Sequence, residues 1–169
     1  DGVGTKLLVA EALDDYSTIG IDCIAMNAND LIAAGVTPVA FVDYLAVETP
    51  DDETAVRGLD LAGACAGLAT ESELFDGQAQ VGDHLVGIPS SGIHSNGLTL
   101  AREAATRNHA YTDPFPHGED RTIGEVLLEP TRIYRDALEP LRAAETHATA
   151  HITGGGWTNL ERMGECRYV

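Results

Sequence analysis

The chain has 169 residues, with 27 acidic against 10 basic side chains and a formal net charge of −17. That balance excludes a general nucleic-acid-binding or anionic-membrane surface, and no apolar run has the length of a transmembrane helix or the pattern of a signal peptide. Cys23, Cys65 and Cys166 lie far apart without CxxC spacing, which argues against a zinc site or a disulfide framework; Cys23 and Cys65 read as small apolar packing residues.

In chain order, "TKLLVA" (5–10) reads as a short strand leaving a glycine turn. "STIGIDCIAMNANDLIAAG" (17–35) reads as a helix. Ile21, Ile24, Ala25, Ala28, Leu31 and Ile32 recur at helical spacing, and Gly35 stands as a C-terminal stop. "PVAFVDYLAVE" (38–48) is rich in β-branched and aromatic residues and predicts a strand. "DLAGACAGLA" (60–69) predicts a buried strand of small residues, with a helix as the alternative. Turn signals at Asp76-Gly77 and Gly82-Asp83 place a domain boundary there, dividing the chain into 1–77 and 78–169.

Beyond it, "HLVGIPS" (84–90) predicts a strand, "SGIHSNG" (91–97) a polar glycine-bounded loop and "LTLAREAATRN" (98–108) a helix. "DPFPHGEDRT" (113–122) reads as an exposed loop. "PTRIYRDALEPLRAAE" (130–145) predicts a helix from Pro130, with Ile133, Leu138 and Leu141 as core candidates. "ATAHITGGGWTNL" (148–160) predicts a strand, a triple glycine and a helix start. The predicted order, β-α-β-β then β-α-α-β, is mixed α/β.

Four motifs carry chemistry. In "DGVGTK" the glycines allow close backbone approach to a phosphate, Lys6 supplies compact positive charge, and Asp1 offers a hard oxygen to magnesium. Lys6 is the only lysine in the chain, which weighs against a chance surface position. In "MNAND", Asn27 and Asp30 share a helix face, with Asp30 at the rim of the apolar stripe. A carboxylate there could meet a metal held by Asp1; a solvated polar face explains the spacing equally well. In "SSGIHSNG", backbone N–H groups before a helix suit a phosphate, and His94 could act as general acid or base. In "HITGGGW", the glycines imply close approach to a ligand phosphate or to a packed neighbour. His151 reads as a satisfied core histidine, and Arg132 in "EPTRIY" as exposed enough to meet an anion.

Together and in order, "DGVGTKL", "TIGIDCIAMNANDL", "FVDYLA", "DLAGACAG", "PSSGIHSNG", "EPTRIY" and "AHITGGGWTNL" resemble the aminoimidazole ribonucleotide synthetase, or phosphoribosylformylglycinamidine cyclo-ligase, family. The resemblance covers most of the chain. It implies a two-domain fold whose N-terminal half forms part of a dimeric β-barrel beside an incomplete C-terminal α/β domain. It implies an ATP-dependent ring closure of formylglycinamidine ribonucleotide in de novo purine synthesis, in a cytoplasmic homodimer. Carried over, Asp1 and Asp30 would take magnesium-ATP, with Asn27 beside them. Lys6 would meet phosphate oxygens, and Gly2, Gly4 and Thr5 would shape that loop. Ser91, His94, Ser95 and Asn96 would line the substrate side, with His94 moving the proton. Gly154, Gly155 and Gly156 would approach a phosphate. Lys6, Asp30 and His94 are thus the expected catalytic set, and a potassium requirement stays open.

Relative to that family, an N-terminal glycine-rich segment and most of the second domain are absent: the chain is either part of a longer protein or a shortened form, and by itself is not expected to be active. Near 49–58 only "TPDDETAVRGL" stands where the family carries a helix, a strand and a Gly-Gly-Glu-Thr-Ala segment; Glu53-Thr54-Ala55 is a remnant of it or a chance likeness. The alternatives are a relative such as formylglycinamidine ribonucleotide synthetase, or a non-catalytic dimerising remnant. Dispersed carboxylates with almost no lysine fit a protein kept soluble in high salt, where screening weakens self-repulsion; an ordinary acidic enzyme is the plainer reading.

Overall fold

The computed structural model describes residues 1–48, 58–75, 77–117 and 120–165. Cys166 and the Glu53-Thr54-Ala55 segment lie outside them, as does Asp76 of the boundary turn. Residues 1–3 run alongside the later strand at 60–68: Val3 N–H donates to Leu61 O at 3.0 Å and Gly63 N–H to Asp1 O at 2.8 Å. Gly4, at φ +64°, then turns the backbone into a conformation that a side chain resists.

Helix α1 (Lys6–Leu13) follows, where a strand was expected. The local apolar run fits either state, but the helix-forming "AEAL" continues it, and Lys6, Leu7, Val9 and Ala10 are all buried by the helical turn. Asp14 ends the helix in left-handed conformation, its N–H closing onto Ala10 and Glu11 carbonyls.

Helix α2 (Ile19–Ala33) forms as the periodicity predicts, and Gly35 follows it at φ +81°. Of the expected stripe, Ala25, Ala28 and Ile32 are buried, but the buried face is wider and turned toward other residues. Ile19, Asp22, Cys23, Met26 and Asn29 face inward, whereas Ile21 and Ile24 are 43% and 41% exposed. The buried face extends to Asp22 and Asn29 because both side chains find partners inside.

Strands β1 (Thr37–Ala46) and β2 (Asp60–Leu68) pair antiparallel, Phe41 opposite Cys65 and Val42 opposite Ala64. The small residues of β2 have a packing reason. A Cβ on Gly63 would lie 2.3 Å from Phe41 Cζ, and one on Gly67 would lie 2.4 Å from Val36 Cγ1 and 3.2 Å from Leu31 Cδ1. Only one face of this sheet is covered by α2. The expectation of a buried β2 is therefore corrected: Leu61 alone is fully buried, while Ala64, Ala66 and Leu68 are exposed with Val42 and Tyr44.

Two further expected strands are absent. Residues 84–90 are exposed without regular structure, and 148–153 likewise form none. A strand exists only by its ladder, and neither segment has a ladder partner among the described residues. Helix α3 (Leu98–Thr106) forms as predicted. Helix α4 (Ile123–Leu127), which the sequence reading missed, starts from a Thr122–Glu125 capping box. The predicted helix from Pro130 begins only at Leu138, as α5 (Leu138–Ala143), after a 3-10 turn at Arg135–Ala137. Of its core candidates Leu138 is fully buried and Ile133 is 39% exposed. A 3-10 segment at Gly156–Met163 follows the triple glycine.

Among the described residues the observed order, α-α-β-β-α-α-α, replaces the predicted one, while the mixed helix and strand class stands. One core joins Val3, Leu7, Val9, Ile19, Cys23 and Leu61 to Leu98, Ile123, Leu127 and Leu128, drawing on both sides of residue 77.

Candidate functional site

Lys6 and Asp22 form the centre of the polar interior. Both side chains are fully buried, and Lys6 Nζ donates to Asp22 Oδ1 at 2.9 Å and to the Glu129 carbonyl at 2.6 Å. The same Oδ1 accepts from Ser95 Oγ at 3.0 Å, Thr131 N–H at 2.9 Å and Thr131 Oγ1 at 2.5 Å. Oδ2 is buried without a hydrogen-bond partner. Burial pulls the Lys6 ammonium below its usual range, opposed by the hydrogen bond and charge of Asp22 and by the charge of Glu129.

This corrects the expectation for Lys6. Its ammonium is enclosed between a carboxylate and a carbonyl, not open at the glycine turn as a phosphate contact requires. A compact ammonium suits this enclosed space, where a guanidinium fork would overfill it.

Two turns further along α2, Asn29 grips the same downstream segment. Its Nδ2 donates to Arg132 O at 2.8 Å, and its Oδ1 accepts from Tyr134 N–H at 3.0 Å. Asp22 and Asn29 thus fix 131–134, where no regular structure forms, and Asn29 takes the Tyr134 N–H that a helix from Pro130 would have used. Sequence reasoning missed both residues. The available signal was their spacing of seven, in phase with Ile19 and Met26.

The polar loop sits against this clamp. Ser95 is buried and tied to Asp22. His94 is half-buried, with φ +65°, a left-handed conformation that histidine adopts more readily than most residues. Its Nε2 lies 3.2 Å from Ser91 N and 3.1 Å from Ser91 Oγ, and Ser91 Oγ donates to Pro130 O at 2.6 Å. Arg132, exposed as expected, donates to Pro89 O at 3.0 Å.

Burial holds His94 below the usual histidine value of 6.5, with the charges of His151, Lys6 and Arg132 acting in the same direction and Asp22 against them. The unfolded chain therefore takes up this proton first on acidification, so stability falls as pH drops through about 6.5 and levels off below the folded value. Replacing His94 by Asn, which tolerates the left-handed backbone, removes that contribution. Urea unfolding at about pH 8 and about pH 5 should show a smaller acid-side loss in His94→Asn; equal losses would refute it.

Asp30 lies at the exposed rim of α2, as its spacing predicts. Its Oδ1 is 2.8 Å from Nδ1 of His151, whose side chain is only 8% exposed against 59% for Asp30. His151 is thus satisfied, as expected, although not within a strand. Beside the pair an open cleft of about 370 Å³ is lined by Asp30, Phe75, Thr149, His151 and Arg162 among others. Asp1 is exposed; its backbone nitrogen meets Asn27 Oδ1 at 3.0 Å, and its Oδ1 accepts from Gly2 N–H at 2.8 Å. Thr5 Oγ1 shares a hydrogen bond with Thr99 Oγ1 at 2.6 Å, linking the glycine turn to α3.

Of the triple glycine, a Cβ on Gly154 or Gly156 would meet nothing within 4 Å, while one on Gly155 would lie 2.6 Å from Asn159 Nδ2. The packed-neighbour explanation therefore applies to Gly155 alone. Among the described residues no three His, Cys, Asp or Glu side chains gather to hold a metal. Nor is any helix there long and apolar enough to cross a membrane.

The model of the AIR synthase related protein N-terminal domain matches residues 1–93, more than half of the chain. This chain belongs to the AIR synthase related family. The C-terminal domain model of that family matches residues 80–163. A phosphoribosylformylglycinamidine cyclo-ligase of Methanosarcina acetivorans is 45% identical, over 96% of this chain and 58% of its own length. Relatives of the same name from Thermococcus gammatolerans and Thermoplasma acidophilum are 45% and 40% identical, each matched over less than three fifths of its length. The chain thus spans somewhat over half of the relatives it matches. The first alignment runs over 194 positions, more than the 169 residues available, so the relative carries residues with no counterpart here.

Proposed function

We propose that this AIR synthase related chain is part of an ATP-dependent cyclo-ligase that converts formylglycinamidine ribonucleotide to aminoimidazole ribonucleotide, releasing ADP and phosphate. The reading is supported by relatives at 40–45% identity that are named phosphoribosylformylglycinamidine cyclo-ligase. The observation that carries it in the structure is the polar loop at 91–97, locked through Ser95 to a buried ion pair while His94 stays half-open. A ring closure through a phosphorylated amide needs positioning and charge neutralisation more than a protein nucleophile.

In this reading Asp1 and Asp30 hold magnesium together with ATP phosphates. Both are exposed carboxylates, the hard donors that magnesium takes, and a site completed by phosphate oxygens and water needs few protein ligands. Once bound, the ion neutralises phosphate charge. His151 orients the Asp30 carboxylate, and Asn27 fixes the backbone of Asp1. Gly2, Gly4 and Thr5 shape the turn beside α3, and the open backbone at Gly154 and Gly156 approaches a substrate phosphate. Ser95 and Asn96 flank His94, which moves the proton. Lys6 acts from behind, through Asp22.

The same proposal gives two domains, near 1–77 and 78–169, and a homodimer in the cytoplasm. Two strands alone make a marginal sheet, and the open face shows Val42, Tyr44 and Leu68 at 66%, 60% and 71% exposure. A second copy would cover it. The acidic surface fits work in high salt.

The test is release of ADP from ATP on addition of formylglycinamidine ribonucleotide, in concentrated potassium chloride. Substrate-dependent release is expected. Turnover that requires glutamine would point to the synthetase relative, and no turnover with a folded chain to a non-catalytic remnant.

A further inference from the structure

An imidazole nitrogen either carries a proton or offers a lone pair. Both neighbours of His94 Nε2 belong to Ser91. The Ser91 backbone N–H, 3.2 Å away, can only donate, so it bonds a bare Nε2. The Ser91 hydroxyl, 3.1 Å away, has already given its hydrogen to Pro130 O, so it can only accept, from a protonated Nε2. The opposite ring nitrogen, Nδ1, has no hydrogen-bond partner among the described residues.

We propose that Ser91 is a positioning residue: it holds Nε2 of His94 in either proton state, fixing the ring and assigning proton exchange to Nδ1. The inference rests on the reading of His94 as the proton carrier. With Nε2–H on Ser91 Oγ, the Nδ1 lone pair takes a proton and the ring becomes a cation. The positive charge stays on the ring and polarises the hydrogen bonds from Nε2–H to Oγ and from Oγ–H to the Pro130 carbonyl, and no bond on the Nε2 side breaks. With Nε2 bare, the Ser91 N–H keeps the ring in place while Nδ1 bears the proton.

The carbonyl at the end of this chain is itself fixed. Pro130 lies between Glu129, whose carbonyl accepts from Lys6, and Thr131, which is held twice by Asp22. The buried pair thereby sets the height of the Ser91 hydroxyl under the imidazole. The sequence reading placed Ser91 on the substrate side; its hydroxyl is instead committed to the protein.

The experiment is a pH titration of the chain followed by nitrogen-15 NMR of its histidine rings, comparing Ser91→Ala and Ser91→Thr. The charged groups facing His94, namely His151, Lys6, Arg132 and Asp22, and the Tyr134 ring with its centroid at 6.4 Å, are the same in all three proteins. Loss of an acceptor for the charged ring should lower the His94 midpoint by about one pH unit in Ser91→Ala. The neutral ring should settle as the Nδ1–H tautomer, because the backbone N–H remains. Ser91→Thr keeps the hydroxyl and should restore both.

An unmoved midpoint and an unchanged tautomer in Ser91→Ala would overturn the proposal, as would a Thr variant that behaves like Ala. These readouts do not depend on turnover. The predicted shift without cyclo-ligase activity would sink the functional reading and leave the positioning role standing; activity without the shift would do the reverse.

Discussion

Replacing Asp22 by alanine is expected to lower folding stability by about 3–5 kcal/mol, the range for breaking a buried ion pair from one side. The variant leaves the Lys6 ammonium enclosed with only the Glu129 carbonyl, and it strips Ser95 and Thr131 of a shared acceptor. Lys6→Met should cost less, because Asp22 keeps three neutral donors from Ser95 and Thr131. The double variant Lys6→Met with Asp22→Leu should recover much of the loss, since a buried pair exchanged for apolar residues of similar size is often near neutral. Guanidinium or urea midpoints of the four proteins decide it. A buried pair is shielded from solvent ions, so the difference between variants should hardly change between low and high salt. A cost under about 1 kcal/mol for Asp22→Ala, or one that salt abolishes, would show a pair behaving like a surface contact.

The elements legible in the sequence are those whose signal is local. Helix α2 has its period and its Gly35 stop, and β1 has its run of β-branched and aromatic residues. The losses have a common cause in partners distant along the chain. Residues 5–10 satisfy strand and helix patterns alike, and burial of Lys6 against Asp22 accompanies the helical outcome. Residues 130–134 carry a good helix start, yet Asn29 captures the Tyr134 N–H and the helix begins only at Leu138. Residues 84–90 and 148–153 have strand composition but no ladder among the described residues. Composition does mark Lys6 as exceptional, but not why, because a lone cation suits a phosphate and a buried carboxylate equally well. Asp22, the carboxylate that decides between them, sits unmarked in "GIDC". Asp30 lies at the exposed edge of α2 and His94 half-buried in its loop, the positions that spacing and motif predict.

Asp30 is expected to behave in the opposite way to Asp22. Both lie on α2, eight residues apart, and both have a cationic or potentially cationic partner. Asp22 is enclosed, whereas the Asp30 side chain is 59% exposed, so water replaces its hydrogen bond at little cost. Asp30→Asn should therefore change stability by less than about 1 kcal/mol. Its functional cost should be large. A carboxylate that meets a magnesium-nucleotide acts on charge, which the amide lacks, and removal of one such electrostatic contact typically costs about a hundredfold or more in rate. The expected result is a chain as stable as the parent that has lost substrate-dependent ADP release and most of its affinity for magnesium-ATP. Calorimetric titration of the nucleotide, with and without magnesium, separates that loss from a folding defect. Asp30→Asn with undiminished turnover would remove Asp30 from the nucleotide site and leave its pairing with His151 as a structural contact. A large stability loss without change in nucleotide affinity would do the same from the other side. The two carboxylates thus give a paired test on one helix, in which burial decides which one holds the fold and exposure decides which one is free to act.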